Sequence, residues 1–241
     1  MNSLPERKAL LVRVGIDSSY GGWNAPVNPG TLEFAYVPIP EDHKHKQIRP
    51  GYQSSYHTFE DSCKRFEAAF PETLLKRYAH LDPDFEYLTY GDENKKGEQI
   101  RELVEDDIFA FYAGLRPPKS HSSSLVYALI GLYVVDKVVA AADVPRRDWH
   151  KNAHTRRVFD NTDVIVFGKV GLSGRLKRCV PIGERRDGAY RVKKDLLHIW
   201  GGLSAKNGYI QRSARLPHIC NPTAFYEWLN KQNIALLARN T

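Results

Sequence analysis

The densest group of chemically useful side chains near the start of the chain is GIDSSYGGWNAPVNPG, residues 15–30, directly after the apolar run ALLVRV. Asp17 offers a carboxylate for proton transfer or metal ligation. Ser18, Ser19 and Asn24 offer hydrogen bonds, while Tyr20 and Trp23 offer flat faces for stacking on a base. A glycine-rich loop after a strand cradles phosphate when a helix starts at its far end, where free amide hydrogens and a positive dipole meet the anion. Here Pro26, Asn28 and Pro29 lead into another strand-like run, and neither GxxxxGK[ST] nor GxGxxG is present. The loop therefore reads as the wall of a pocket, with Asp17 as the candidate catalytic carboxylate. The plainer reading is a structural turn with Trp23 packed in the core.

Other potential chemistry is weaker. His150 and His154 in WHKNAH have the i,i+4 spacing that lets two imidazoles share a metal on a helix, but HExxH needs Glu where Lys151 stands. Arg156 and Arg157 next door would repel a cation. His43 and His45 fall in a polar loop and read as solvent-facing. Among the carboxylates Asp82, Asp84, Glu86, Asp92, Glu93, Asp106 and Asp107, only Asp84 and Glu86 with Lys95 or Lys96 approach a nuclease trio. The D-then-ExK spacing is missing, and turn caps and strand-edge charges explain them better. Ser173 lacks a GxSxG elbow, and Cys179 reads as core. Cys63, Cys179 and Cys220 form no CxxC pair, so neither a zinc motif nor a disulfide framework is supported. The expectation is a cytoplasmic protein with no cofactor and no bound metal.

The charge is more informative. The formal net charge is +7, yet residues 1–143 hold 16 Lys+Arg against 21 Asp+Glu while residues 144–241 hold 19 against 7. A basic surface concentrated in this way suits a polyanion. The residues expected to meet a nucleic-acid backbone are Arg156, Arg157, Lys169, Arg175, Arg212 and Arg215, with DNA favoured over RNA. Asn207-Gly208 should turn the chain, and a strand after it would put Tyr209, Gln211, Ser213 and Arg215 on one face. No apolar stretch approaches the roughly 20 residues of a membrane span; the N-terminal run reads as a first strand, not a secretory signal.

These residues need elements to position them. Strands are expected over residues 9–16, in LEFAYVPIP (an edge, given Pro38 and Pro40), in LDPDFEYLTYGD, in DDIFAFYAGL and along SSSLVYALIGLYVVDKVV. Helical spacing appears in TFEDSCKRFEAAF through Phe59, Cys63, Phe66 and Phe70, and Pro71 suits N1 of a following helix. EQIRELVED aligns Ile100, Leu103 and Val104. VPRRDWHKNAHTRRVFDNT reads as partly helical, and DVIVFGKVGLSGRLKRCVPIG as strand, turn and strand. In NPTAFYEWLNKQ, Asn221 is the N-cap and Pro222 suits N1. Regular βαβ alternation is missing. The expected architecture is a single α+β domain over 1–241, with a mixed or antiparallel, barrel-like sheet and peripheral helices.

DDIFAFYAGL followed by LVYALIGLYVVDKVV resembles the core of PUA, ASCH and EVE-type domains. VGIDSSYGGWNAPV, EFAYVPIPE, LDPDFEYLTYGD, DDIFAFYAGL and GKVGLSGRLKR together resemble the third type of nucleotide modification associated domain, a prokaryotic and phage family tied to hypermodified DNA bases. The resemblance covers most of the chain. It implies a PUA-like pocket for a nucleobase that draws on Trp23, Asn24, Tyr112 and Tyr209, to which the loop's own polar groups add Ser18 and Ser19. The implied function is a nucleic-acid-binding protein that recognises a modified or flipped base. The alternative is an enzyme acting on nucleotides or DNA bases, with Asp17 as its carboxylate.

Overall fold

Strands buried on both faces read as continuous apolar runs, without the alternation of a half-exposed sheet. IFAFYAGL is buried at all eight positions, and VYALIGLYVV is nearly so. These two runs form the centre of the sheet in a computed structural model that describes residues 7–41, 47–118, 124–211 and 214–241. The strands are β1 (Ala9–Arg13), β2 (Ile39–Pro40), β3 (Ala79–His80), β4 (Thr89–Asp92), β5 (Ile108–Leu115) and β6 (Val126–Ala140). They continue with β7 (Val164–Gly168), β8 (Gly174–Pro181), β9 (Gly183–Arg186), β10 (Ala189–Val192) and β11 (Leu236–Leu237). The α-helices are α1 (His57–Lys64), α2 (Glu72–Leu75), α3 (Asn94–Arg101), α4 (Ala153–Arg156), α5 (Lys194–Ile199) and α6 (Pro222–Lys231).

β1 runs parallel to β5, with Ala9 opposite Ile108 and Arg13 opposite Tyr112. β5 pairs antiparallel with β6 along its whole length. The 15-residue β6 outreaches any one partner on its other edge, where β8 pairs its first half and β7 its second. β11 then extends the β8 branch and β4 the β7 branch. The sheet is mixed and forked, and several helices surround it. Among the described residues no ladder joins β1 to β4 or β11, so the barrel-like closure expected from the sequence is not formed. The fork spends the second edge of β6 on two branches, each ending in its own edge strand.

Alternation along β1 and β5 feeds two cores. Leu10, Val12, Phe109, Phe111 and Ala113 join Phe59 and Cys63 of α1 on one side. Ala9, Leu11, Ile108, Ala110 and Tyr112 join Trp200, Phe225 and Leu229 on the other. Each fully buried Leu or Phe contributes about 1.5–3 kcal/mol, which holds both layers to the sheet.

Several local signals hold with adjusted bounds, but of the strand expected in LEFAYVPIP only Ile39–Pro40 forms. α1 ends at Lys64, and Glu67 takes a φ of 54°, so Phe66 and Phe70 pack from a turn beyond the helix. Pro71 is the N-cap of α2, not its N1 residue. Ile100 and Leu103 are buried, but Val104 lies past the end of α3 and is exposed. Asn221 caps α6, accepting from the Ala224 amide at 3.0 Å. The strand expected after Asn207-Gly208 does not form: Ile210 and Gln211 carry no ladder, and Ser213 lies outside the described residues. No described helix is long and apolar enough to cross a membrane.

One buried ion pair ties the strands to the second half of the chain. The Asp84 carboxylate, with no exposed surface, accepts from Arg156 Nη2 at 2.8 Å, from Asn240 Nδ2 at 2.9 Å and from the Glu86 amide at 3.1 Å. Its backbone carbonyl accepts from the Tyr133 hydroxyl of β6 at 2.8 Å. Removing one member of such a pair strands a charge in a dry site, at a cost of about 3–5 kcal/mol. Asp84→Asn is therefore expected to lower stability by that order in urea denaturation. Arg156→Lys, which keeps a charge but loses the planar fork, should cost less.

Candidate functional site

A cleft of about 850 Å³ opens at the carboxyl end of β1. One wall is the loop from Gly15 to Gly21, and another comes from Gln211, Ala214 and Arg215. The remaining boundary comes from β2, β3, β4, the first turns of α3, and α4.

The loop keeps its shape through Asp17. Its Oδ1 accepts from the Ser19 and Tyr20 amides at 2.6 and 2.8 Å, while Oδ2 pairs with Arg13 at 2.9 Å. Both oxygens are engaged in holding the turn, in the manner of a short polar side chain that mimics a backbone bend. Gly21 has a φ of 97°, and a Cβ there would meet Ile16 Cδ1 at 2.6 Å, so the wall requires glycine at this point. No helix follows. Tyr20 is 53% exposed at the mouth.

The floor is different: ionisable and almost entirely buried. The β2–β3 ladder sets Ile39 opposite His80 and brings Glu41 beside it. Asp82 lies two residues beyond His80, and His154 comes from α4, whose N-cap Asn152 accepts from the His154 amide at 2.8 Å. His80 Nδ1 lies 3.0 Å from Glu41 Oε1, and His154 Nδ1 lies 2.6 Å from Asp163 Oδ1. An ionised carboxylate only accepts, so each Nδ1 carries the hydrogen and each Nε2 is turned inward. Both Nε2 atoms face Asp82 Oδ2, at 3.9 Å from His80 and 3.4 Å from His154. Asp82 is itself fixed by the Gly91 amide, 3.0 Å from both oxygens, and by Asn152 Nδ2 at 3.3 Å.

The electrostatics follow from this burial. Desolvation disfavours a charged His154, but its hydrogen bonds to Asp163 and Asp82 prevail and push its pKa up to about 9. Burial pushes the Asp82 carboxyl above its ordinary value, against the opposing pull of His154, His80 and the Gly91 amide. Burial acts the same way on Glu41, yet His80 pulls that carboxyl below its usual range, helped by Arg157 and His154. Arg157 reaches Glu93 at 3.2 Å and Asp163 at 3.3 Å. Two sets of side chains could hold a metal ion, since their ligand atoms lie within 4.8 Å of one another: His80, Asp82 and His154, and Glu93, His154 and Asp163.

Some residues singled out in the sequence reach the cleft and others do not. Asp17, Ser19, Tyr112, Arg157 and Arg215 line it. Tyr112 is buried, donating to the Ile210 carbonyl at 2.8 Å. Ser18 is exposed and outside the lining. Trp23 packs on Phe70 with ring centroids 5.4 Å apart, and buried Asn24 donates to the Gly114 carbonyl at 2.8 Å. Tyr209 sits beside Arg191, beyond the lining. Arg156 is buried against Asp84, and Arg175 is buried over the Phe34 ring, where desolvation lowers its pKa to about 10. Lys169 pairs with Glu105 and Asp106. Arg212, like His43 and His45, lies outside the described residues. The partner of His154 is His80, whereas His150 packs on Tyr87 at 5.2 Å.

Sequence reading missed His80, Glu41 and Asp163, and passed over Asp82 as a turn residue. The available signal is AHLDP: His and Asp two residues apart on an extended segment share a face.

A family model described as nucleotide modification associated domain 3 matches residues 8–223. No curated protein and no solved structure matches the chain. The matched span contains the loop wall and the whole ionisable floor.

A Cβ at Gly91 would fall 2.6 Å from His154 Cδ2 and 2.9 Å from Asn152 Oδ1. Gly91→Ala is expected to push α4 away from Asp82 and to destabilise the protein by about 1–3 kcal/mol, the usual cost of overpacking. Thermal denaturation measures this, and the His154 imidazole resonances should shift with it.

Proposed function

The chain belongs to the nucleotide modification associated domain 3 family, and on that premise we propose that it is an enzyme altering a nucleotide or DNA base held in the 850 Å³ cleft. The observation that carries this reading is the floor of His80, Asp82 and His154, backed by Glu41 and Asp163. A pocket that only reads a base needs stacking surfaces and a few neutral hydrogen bonds. Burying two imidazoles and three carboxylates is costly, and such perturbed groups gather where protons or charges are handled.

The division of labour follows. Asp17 shapes the wall, because both of its oxygens are committed to the loop and to Arg13. The floor supplies the reactive polar groups, with Asp82 at its centre. Arg77, Lys96 and Arg215 line the same cleft and supply positive charge for a phosphate, and Tyr20 offers a ring at the mouth.

The exposed basic residues around β9, β10 and α5 favour a base presented from DNA over a free nucleotide. Arg185, Lys194, Lys206 and Arg215 are all exposed, and the Arg191–Tyr209 bridge joins this region to the segment that lines the cleft. Extruding a base costs a few kcal/mol, least at mismatched or damaged positions.

Wild-type protein incubated with deoxynucleotides and with short duplexes should change the mass of a nucleoside, and Asp82→Asn should abolish the change while retaining DNA binding. Unchanged nucleosides for both proteins, with salt-dependent DNA binding intact, would favour a reader of bases instead. Arg215→Ala is expected to weaken DNA binding and to reduce the slope of log K against log salt by about 1, whatever the sequence.

A further inference from the structure

We propose that His80, Asp82 and His154 are the three protein ligands of a divalent transition-metal ion at the floor of the cleft, with its remaining coordination positions open to the substrate side. The inference goes beyond the nucleotide reading and does not depend on which molecule the cleft receives.

Three observations carry it. The first is geometric. Two ligand atoms each about 2.1 Å from one ion lie roughly 3.0–3.4 Å apart at octahedral or tetrahedral angles. Asp82 Oδ2 lies 3.4 Å from His154 Nε2 and 3.9 Å from His80 Nε2, and all three atoms fall within 4.8 Å of one another. A small inward shift brings them to ligand spacing. All three residues line the cleft, so an ion held there meets whatever enters.

The second is the outer layer. Metal-bound imidazoles characteristically donate their other nitrogen to a carboxylate, which fixes the tautomer and the ring plane. Here both do so, His80 to Glu41 and His154 to Asp163. A histidine buried for packing needs one such partner; two converging imidazoles with the same arrangement and a shared carboxylate between them are a ligand set.

The third is charge. Arg157 reaches Glu93, Asp163 and, at 3.0 Å, His154 Nδ1, while the nearest ionisable partners of Asp82 and Glu41 are the histidines. Glu41 Oε2 is buried with no hydrogen-bond partner among the described residues. A divalent cation at Asp82 adds positive charge to a buried group that holds three carboxylates, Glu41, Asp82 and Asp163. The same guanidinium argues against the alternative set of Glu93, His154 and Asp163, since Arg157 already occupies it. Two imidazoles and one carboxylate with open positions suit Fe(II), Zn(II) or Co(II) better than Mg(II) or Ca(II), which prefer all-oxygen sites.

The test uses the full chain, stripped with a chelator and titrated with Co(II), Zn(II) and, anaerobically, Fe(II). One ion per chain is expected, with a Co(II) ligand-field spectrum. His80→Ala and Asp82→Asn should each lower affinity by at least about 100-fold, and Glu41→Gln by about 10- to 100-fold. His150→Ala, at the Tyr87 contact, should leave stoichiometry and affinity unchanged. Failure of the wild-type protein to bind any of the three ions overturns the proposal, as does binding that survives both ligand substitutions in folded variants. If those variants fail to fold, electron paramagnetic resonance of the wild-type protein loaded with Cu(II) decides. Hyperfine coupling to two imidazole nitrogens upholds the site, and fewer than two overturns it.

Discussion

The contact between Asp84 and Arg156 sets the register of the segments that form the ionisable floor of the cleft. Asp84 stands two residues after Asp82, and Arg156 stands two residues after His154. Pinning the second pair at 2.8 Å therefore fixes the first, although 72 residues separate each partner from the other in the chain. The clamp is not confined to two side chains. Asn240 brings the C-terminal segment to the same carboxylate, and the Tyr133 hydroxyl ties β6 to the Asp84 carbonyl. A buried ion pair is seldom the most stabilising solution, since well-packed apolar groups often do as well. Its directional hydrogen bonds offer something apolar packing does not. They orient α4 so that one imidazole meets one carboxylate at the cleft floor.

The floor carries a second set of buried charges, and its cost is offset by connection. Asp82 draws hydrogen bonds from Gly91 and Asn152, His154 is held by Asp163, and His80 is held by Glu41. Gly91 is where these requirements collide, because its amide must approach Asp82 while its α-carbon lies against His154. Only the missing side chain allows both contacts. The loop wall follows the opposite principle, since its one buried carboxylate is fully committed to shaping backbone and Tyr20 stands exposed at the mouth. One side of the cleft is built for shape, and the other carries the buried ionisable groups.

What could be read in the sequence was local. The continuous apolar runs of β5 and β6, the Asn221 cap of α6 and the lack of a helix after the glycine loop all follow from neighbours a few residues apart, and all reappear in the structure. The fork at β6 was not legible, because nothing in the residues of a long buried strand says how many partners share one edge. The floor was hidden by distance in the chain: His80 and Asp82 lie more than 70 residues before His154. Spacing within WHKNAH pointed to His150, which the short 3₁₀ and α turns direct to Tyr87 instead.

Net charge misled in an instructive way. The basic second half owes part of its excess to Arg156, Arg157 and Arg175, all buried. Arg156 and Arg157 neutralise Asp84, Glu93 and Asp163, while Arg175 lies over an aromatic ring. Asp84 and Glu93 belong to the acidic first half. The asymmetry between the halves is thus partly an internal complementarity: acidic strands from one half receive arginines from the other, and the charge cancels inside the fold. Much of the remainder is exposed, and it includes Arg146 and Arg147, Lys177 and Arg178 of β8, and Arg185 and Lys194 around β9, β10 and α5. A charge count bears on a surface for polyanions only after the internal pairs have been subtracted.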